Sequence, residues 1–207
     1  MHKFLIILLT LLKLSVSFAT HNRAASWFGT FAQKDITDNF LIWAETQFRY
    51  NLELGKNQQI LYRPGILHKI NEHHQLGYLF AYIQSDSLKE HRFALQHIQK
   101  YGNFFNADFS ARSRLEARFI EDNSDDAARF RYLLRAEGSC WVTWEEIFLN
   151  LTDDNWTGNR VVDRNRFFLG LKHFVSDIRV EYGYLNQYIP RATNDVMEHI
   201  FTVYLFF

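Results

Sequence analysis

The chain has 207 residues, with 23 basic and 23 acidic side chains and an aromatic content of 17%. Its length fits a single domain. The balanced charge gives no reason to expect a nucleic-acid partner, and a mean hydropathy of −0.25 excludes a bundle of membrane-spanning helices.

The first predicted element is a secretory signal peptide over residues 1–19. Lys3 precedes the apolar stretch Phe4–Leu12, and the segment Ser17–Ala19 has the small-residue pattern of a cleavage site. A stretch of about nine apolar residues is too short for a transmembrane helix, which needs about twenty. We therefore expect a mature domain over residues 20–207. The alternative is a retained N-terminal anchor.

After this segment the sequence predicts strands and no helix. Segments of about ten residues alternate in polarity, and short polar clusters with turn chemistry separate them. Pro64 would bend or bulge its strand, because proline donates no hydrogen bond to the ladder. The predicted strands are Ser26–Gln33, Phe40–Tyr50, Gln59–Ile70, Gln75–Gln84, Glu90–Tyr101, Phe104–Ile120, Ala127–Glu137, Trp141–Leu151, Val161–Phe174, Asp177–Ile189 and Val196–Phe207.

The odd number of predicted strands conflicts with the even number typical of single-chain bacterial barrels. Either a strand near the N-terminus escapes the pattern, or Ser26–Gln33 is not a full crossing. If both termini are periplasmic, the connections Glu121–Asp126 and Thr152–Arg160 face outside, and the tight turns Gly138–Ser139 and Val175–Ser176 face the periplasm. This arrangement agrees with short periplasmic turns and longer external loops.

Charged side chains recur at every second position of several strands. Arg112, Arg114 and Glu116 share one face of their strand, and Ser113 and Leu115 share the other. A period of two is required where each strand separates two environments. A soluble antiparallel barrel would turn its apolar face inward, whereas a membrane barrel would turn it towards lipid.

Three features favour the membrane barrel. The 20 Phe, 10 Tyr and 5 Trp side chains outnumber what one narrow barrel interior can hold, so many of them must face outward. Strands such as Val161–Phe174 exceed the roughly nine to eleven residues that cross a bilayer at a tilt. The last strand ends on Phe207 with Phe201, Val203 and Leu205 on the same face, which resembles the C-terminal membrane-targeting signal of bacterial outer-membrane barrels.

These patterns predict an all-β protein: a single antiparallel up-and-down transmembrane β-barrel of about 10–12 strands, in the bacterial outer membrane. We expect outer-membrane lipid as its surroundings and the barrel assembly machinery as its partner during insertion. We expect no nucleic acid, no metal and no cofactor.

The charged face predicts a polar lumen. Arginine forms bidentate pairs with carboxylates, and neighbouring strands bring such pairs within reach. One hypothesis is a structural ion-pair network that fixes the strand register. The other is an arginine-lined pore or pocket that passes or selects small anions. The predicted lumen residues are Glu45, Arg49, Arg92, Arg112, Arg114, Glu116, Arg118, Arg129, Arg131, Arg135, Glu146, Arg166, Arg179 and Glu181.

Two further functional classes stay open. A lipid enzyme at the barrel rim would need a serine within reach of an oriented histidine; Ser110 or Ser113 near His97 are the candidates, but no G-x-S-x-G context is present, so we favour a protein without catalytic residues. A soluble periplasmic barrel that binds lipid or another apolar ligand is the other alternative. The adjacent His73 and His74 would point in different directions, which is poor geometry for a metal site.

Several segments, taken in order, carry a family resemblance. They are Glu90-His91-Arg92 with Gln96, Arg112-x-Arg114-x-Glu116-x-Arg118-Phe119, Arg129-x-Arg131-Tyr132, Glu146–Asn150, Asp163–Arg166 and Glu181–Tyr184. Together they resemble the bacterial domain-of-unknown-function 2490 family, over essentially the whole mature chain. The resemblance implies a secreted outer-membrane barrel and supplies no established activity.

Overall fold

The computed structural model describes residues 21–86, 88–121, 126–152, 160–191 and 193–207. The predicted signal peptide, residues 1–19, lies outside these ranges. Within them the regular structure is strand, and no helix is long and apolar enough to cross a membrane. The strands are β1 (His21–Asp35), β2 (Phe40–Asn51), β3 (Lys56–Lys69), β4 (His74–Ser85), β5 (Lys89–Phe104), β6 (Ala107–Ile120), β7 (Ala127–Glu137), β8 (Trp141–Asn150), β9 (Val162–Val175), β10 (Ile178–Ile189) and β11 (Val196–Phe206).

The strands form one closed barrel in chain order. Consecutive strands pair antiparallel, and β1 closes the barrel by pairing with β11 in parallel, from His21 beside Val196 to Phe31 beside Phe206. The prediction of a wholly antiparallel barrel is therefore wrong at this pair. An odd number of strands joined by hairpins leaves the first and last running in the same direction, so they can meet only as a parallel pair.

The first described strand, β1, is longer than either of its neighbours. β1 has 15 residues and pairs with both neighbours along most of its length, so the alternative that Ser26–Gln33 falls short of a full crossing is wrong. Because β1 and β11 are parallel, His21 and Phe207 lie at opposite ends of the barrel. The assumption that the domain starts and finishes at the same end therefore does not hold.

The two ends of the barrel differ in their connections. One end, called the loop end below, carries His21 and the connections after β2, β4, β6, β8 and β10. The other, called the turn end, carries Phe207 and the short connections after β1, β3, β5, β7 and β9. The flanks of 121–126 and 152–160 therefore lie at one end, and the turns at 138–139 and 175–176 at the other, as the alternation of connections predicts. Residues 122–125 and 153–159 are outside the described part of the chain.

Two local irregularities move the sequence-predicted boundaries. The turn between β5 and β6 is at Phe105 and Asn106, which both have left-handed backbone (φ 55° and 60°), rather than before Phe104. A bulge between Lys100 and Gly102 accommodates one extra residue. β5 therefore continues through Gly102 and Asn103, where the sequence pattern predicts a turn. At Pro64 the pairing with β4 is interrupted, but the register on either side is unshifted, so the strand carries no bulge there.

Side chains divide between the two faces of the wall. Large apolar side chains, among them Tyr78 (71% exposed) and Phe93 (57% exposed), stand on the outer face. Charged side chains such as Glu116 and Arg129, each 1% exposed, are enclosed. The period-two pattern of the strands produces this separation, since a strand's successive side chains point to opposite faces.

Candidate functional site: the charged barrel interior

The structure places the predicted lumen residues on the inner wall. They surround a cavity of about 350 Å³ or pack beside it, and none of the fourteen is exposed. Buried are Glu45, Arg114, Glu116, Arg118, Arg129, Arg131, Glu146, Arg166 and Glu181, and half-buried are Arg49, Arg92, Arg112, Arg135 and Arg179.

Glu116 and Glu146 anchor the largest group of ion pairs. The Glu116 carboxylate accepts hydrogen bonds from Arg129 (Nη2 to Oε2, 2.6 Å) and Arg131 (Nη1 to Oε1, 2.7 Å). The Glu146 carboxylate accepts from Arg131 (Nη2 to Oε1, 2.7 Å) and Arg112 (2.9 Å). Arg131, on β7, therefore bridges the carboxylates of the two strands that flank it, β6 and β8. We call these five residues the central cluster.

A third carboxylate, Glu90, holds two guanidinium groups. Arg92 donates to both of its oxygens, at 2.8 and 2.7 Å, and Arg118 Nε donates at 2.6 Å. A separate pair joins Arg63 Nη1 to Glu45 Oε2 at 2.6 Å. The Arg118–Glu90 and Arg63–Glu45 pairs cross between adjacent strands, so they oppose slippage of the register.

A third group lies towards the turn end. Arg135 donates to Glu137 Oε2 and to Glu181 Oε1, both at 2.5 Å. Arg179 Nε lies 3.4 Å from Glu181 and Lys172 Nζ lies 3.4 Å from Glu137. Each carboxylate here again faces more than one cation.

Arg49 and Arg166 form a different environment around Trp27. The Arg49 guanidinium lies 4.1 Å from the centre of the Trp27 ring, and that of Arg166 lies 4.8 Å from it. Arg49 donates only to amide oxygens, those of Gln59 (2.5 Å) and Gln47 (3.0 Å), and no carboxylate among the described residues lies within 4 Å of it.

The other two arginines near Trp27 also have few carboxylate partners. Arg166 Nε donates to Gln187 (2.6 Å), and its Nη1 is 3.9 Å from Glu146. Arg164 pairs with Asp163 at 3.0 Å. Arg164 and Arg166 both lie over the Phe148 ring, at 5.8 and 4.7 Å. We call Trp27, Arg49, Arg164 and Arg166 the arginine pocket.

Several interior charges were missed by the sequence analysis. Arg63 sits in a strand whose alternation Pro64 obscures, although its spacing of two from Leu61 places it on the inner face. Glu90 and the pair Asp163–Arg164 stand within the family-like segments but were not assigned to the lumen. The missed charges among the described residues include Arg63, Glu90, Glu137, Asp163, Arg164, Lys172 and Glu198.

Part of the interior is apolar. One buried cluster combines Ala25, Trp27, Val142, Phe168, Leu185 and Ile200, with Trp144 packed against it. Next to it Gly170 and Gly183 face each other across β9 and β10. A Cβ atom at Gly183 would lie 2.3 Å from the Leu169 carbonyl oxygen, so the strands approach closely only because no side chain intervenes.

The C-terminal strand presents the predicted alternation. Phe201 and Phe207 are exposed, and Val203 and Leu205 are half-buried. The intervening Ile200, Thr202 and Tyr204 are buried. The four residues predicted as a membrane-targeting face thus share the outer side of β11.

The histidine and serine candidates do not form a catalytic arrangement in the described chain. Ser113 is the cross-strand neighbour of His97, and Ser110 is that of Lys100. The His97 ring forms its side-chain hydrogen bond with the His74 ring, at 3.1 Å. Among the described residues, no three histidine, cysteine or acidic side chains converge as a metal-ligand set.

The loop end carries two acidic groups with altered ionisation. Hydrogen bonds from Lys89 and then His91 hold the pKa of Glu121 below its usual value. A hydrogen bond from the Tyr188 hydroxyl, followed by one from the Arg191 amide, lowers the pKa of Asp195. Both acids lie outside the barrel wall, so they mark the rim rather than the lumen.

Comparisons with known proteins identify a family and one uncharacterised relative. The model of a protein family of unknown function, DUF2490, matches residues 24–198. An uncharacterised protein of Methylorubrum extorquens is 31% identical over 179 residues, which cover 79% of this chain and 78% of that relative. No solved structure matches. The chain belongs to the DUF2490 family.

Proposed function

We propose that this protein is a non-enzymatic outer-membrane β-barrel whose polar lumen is stabilised by arginine–carboxylate ion pairs. The observation that carries the proposal is the inverted distribution of polarity: ions inside and large apolar side chains outside. In this proposal residues 1–19 direct secretion, and β11 supplies the signal read by the assembly machinery.

The outer wall fits lipid better than water. Tyr62, Ile66, Tyr78, Phe93 and Leu95 are all exposed and stand on the outer face of three successive strands. Soluble monomers rarely expose contiguous apolar patches above a few hundred Å². A lipid bilayer would remove the free-energy cost of exposing these apolar side chains to water, because its hydrocarbon interior solvates them.

The wall is also tall enough for a bilayer. The strands have 10 to 16 residues, and roughly nine to eleven residues cross a membrane at a tilt. The closed hydrogen-bond ladder leaves no unpaired strand edge among the described strands, which a lipid environment requires.

A charge placed on the outer wall tests the proposal. Leu95→Arg puts an arginine on the outer face of β5, where a bilayer would penalise it by about 2–4 kcal/mol near the midplane. Phe105→Arg, at the exposed turn, is the matched control. We expect Leu95→Arg to reduce assembled, heat-modifiable protein in the outer-membrane fraction, with Phe105→Arg unchanged. Recovery of both variants in the osmotic-shock fraction would refute the membrane assignment and favour the soluble barrel.

The orientation can be read from the exposed Cys140, which lies in the turn between β7 and β8. If the short turns are periplasmic, a large impermeant maleimide reagent added to intact cells leaves Cys140 unlabelled and labels it after lysis. The matched control is Asp126→Cys in a Cys140→Ser background, at the loop end, which should react in intact cells. The reverse labelling would invert the topology.

The lumen's role in this proposal is structural, because the central cluster and the apolar cluster occupy much of the interior. We therefore expect no steady conductance from the purified protein in planar bilayers. Anion-selective steps of defined size would instead favour solute passage through the arginine-rich lumen.

A further inference from the structure

We propose that the arginine pocket binds a small phosphate-type oxyanion inside the barrel. Its components are Trp27, Arg49, Arg164 and Arg166, which all line the cavity of about 350 Å³. The pocket consists of interior side chains, so it exists whether lipid or water surrounds the barrel, and the proposal goes beyond the membrane assignment.

The first argument is charge. Among the described residues, the three guanidinium groups of this pocket meet one close carboxylate, Asp163, which Arg164 shares with Arg129. Glu146 lies 3.9 Å from Arg166 and is already held by Arg131 and Arg112. An enclosed cation without a counter-ion is costly, so the pocket has a deficit of negative charge that an anion would fill.

The second argument is unused donors. Arg49 Nε and Trp27 Nε1 are buried and have no hydrogen-bond partner among the described residues. Both donors belong to residues of the same cavity, and their residues are in contact, with the Arg49 guanidinium 4.1 Å from the Trp27 ring centre. Two free N–H groups beside an excess of arginine are what an oxyanion needs as a binding site.

The third argument is preorganisation and space. Gln47 and Gln59 hold the two Nη atoms of Arg49, and Gln187 holds Nε of Arg166. The guanidinium groups are therefore fixed before an anion arrives. The cavity of about 350 Å³ has room for an anion of phosphate size with water, since a water molecule occupies about 30 Å³ of liquid. Arginine's planar fork suits phosphate and related oxyanions.

The test is calorimetric titration of the purified full-length protein with inorganic phosphate and, in a second arm, with glycerol phosphate. Ionic strength is held constant with sodium chloride. The two arms distinguish free phosphate from the phosphate group of a small metabolite. We expect saturable binding in at least one arm. Arg49→Gln should weaken it about tenfold to a hundredfold, the usual effect of losing a hydrogen bond to a charged group.

Arg179→Gln is the matched control. Arg179 is also interior and lies over an aromatic ring, 4.2 Å from the centre of Phe206, but it faces Glu137 and Glu181. We expect this variant to keep the wild-type affinity. No saturable binding in either arm, or an equal loss of affinity in both variants, would overturn the proposal.

Arg49→Lys guards against a folding artefact. It keeps the positive charge but removes Nε and the planar fork, so we expect affinity between those of wild type and Arg49→Gln. Heat-modifiable migration identifies the folded fraction of each variant. Wild-type affinity in a folded Arg49→Gln protein would show that Arg49 does not contact the anion and would refute the site. The membrane assignment is tested separately: recovery of the protein in the osmotic-shock fraction rather than the outer-membrane fraction would refute it without bearing on anion binding.

Discussion

The central cluster and the arginine pocket are built from the same residue type within one enclosed interior, yet they differ in counter-ions. In the central cluster, Glu116 and Glu146 are shared among three arginines at hydrogen-bond distance. In the arginine pocket, Arg49 meets only amide oxygens and the Trp27 ring among the residues that the structure describes. Burial of an arginine therefore does not define its role. The presence or absence of a carboxylate partner separates a structural ion pair from a cation available to a ligand.

The largest expected effect is at the centre of the ion pairs. Glu116→Gln keeps the side-chain volume but removes the charge that neutralises Arg129 and Arg131. We expect a loss of about 3–5 kcal/mol in unfolding free energy, because breaking one partner of a buried pair leaves uncompensated charge. Denaturant titration of the refolded barrel measures it. Glu121→Gln, at the exposed rim, is the control and should change the unfolding free energy little. Equal losses in the two variants would contradict a stabilising role for the central cluster.

A packing change in the apolar part of the interior should have a smaller effect. Gly183→Ala places a methyl group against the Leu169 carbonyl and Gly170, which forces β9 and β10 apart at a cost of about 1–3 kcal/mol. Gly77→Ala is the comparison, since its nearest neighbour would be the Leu67 side chain at 3.1 Å, which can move. The same unfolding measurement applies, and a larger loss for Gly77→Ala would contradict the close-approach explanation.

Arg49→Gln should cost less than about 1 kcal/mol in the absence of phosphate, because no carboxylate loses its partner. Arg131→Gln is the matched change in the central cluster and should be far more destabilising, since it strips a donor from both Glu116 and Glu146. Thermal unfolding of the two variants side by side distinguishes them. Similar losses would remove the distinction between the two regions.

The smallest expected effect is at the rim. The lowered pKa of Asp195 means that its contribution is present above the unfolded aspartate pKa of about 3.9 and is lost as the pH falls through the lower, folded value. Tyr188→Phe removes the hydrogen bond that is the main cause, so the pKa of Asp195 should rise towards the ordinary range. Carboxyl NMR titration of the purified protein checks this; an unchanged pKa would rule out the Tyr188 hydroxyl as its cause.

Much of the barrel could be predicted because period-two alternation is a local property. The strands containing Arg112–Arg118 and Arg129–Arg135 are where the sequence places them, and their charged faces are enclosed. The β5–β6 turn was misplaced, because a bulge between Lys100 and Gly102 leaves no clear mark in the alternation. Arg63 was missed for a similar reason, since Pro64 interrupts the pattern around it.

By itself the sequence determined the approximate positions of the strands, the separation of charged from apolar faces and the C-terminal aromatic alternation, because each follows from residues close together in the chain. Only the tertiary structure decided the parallel closure of β1 on β11, the choice of partners among the arginines and carboxylates, and the isolation of Arg49 beside Trp27. Those features depend on which strands meet when the barrel closes. Glu116 and Arg129 are 13 residues apart in the sequence and lie on adjacent strands. Arg166 of β9 and Trp27 of β1 are far apart in the sequence and meet in the interior because the barrel is closed.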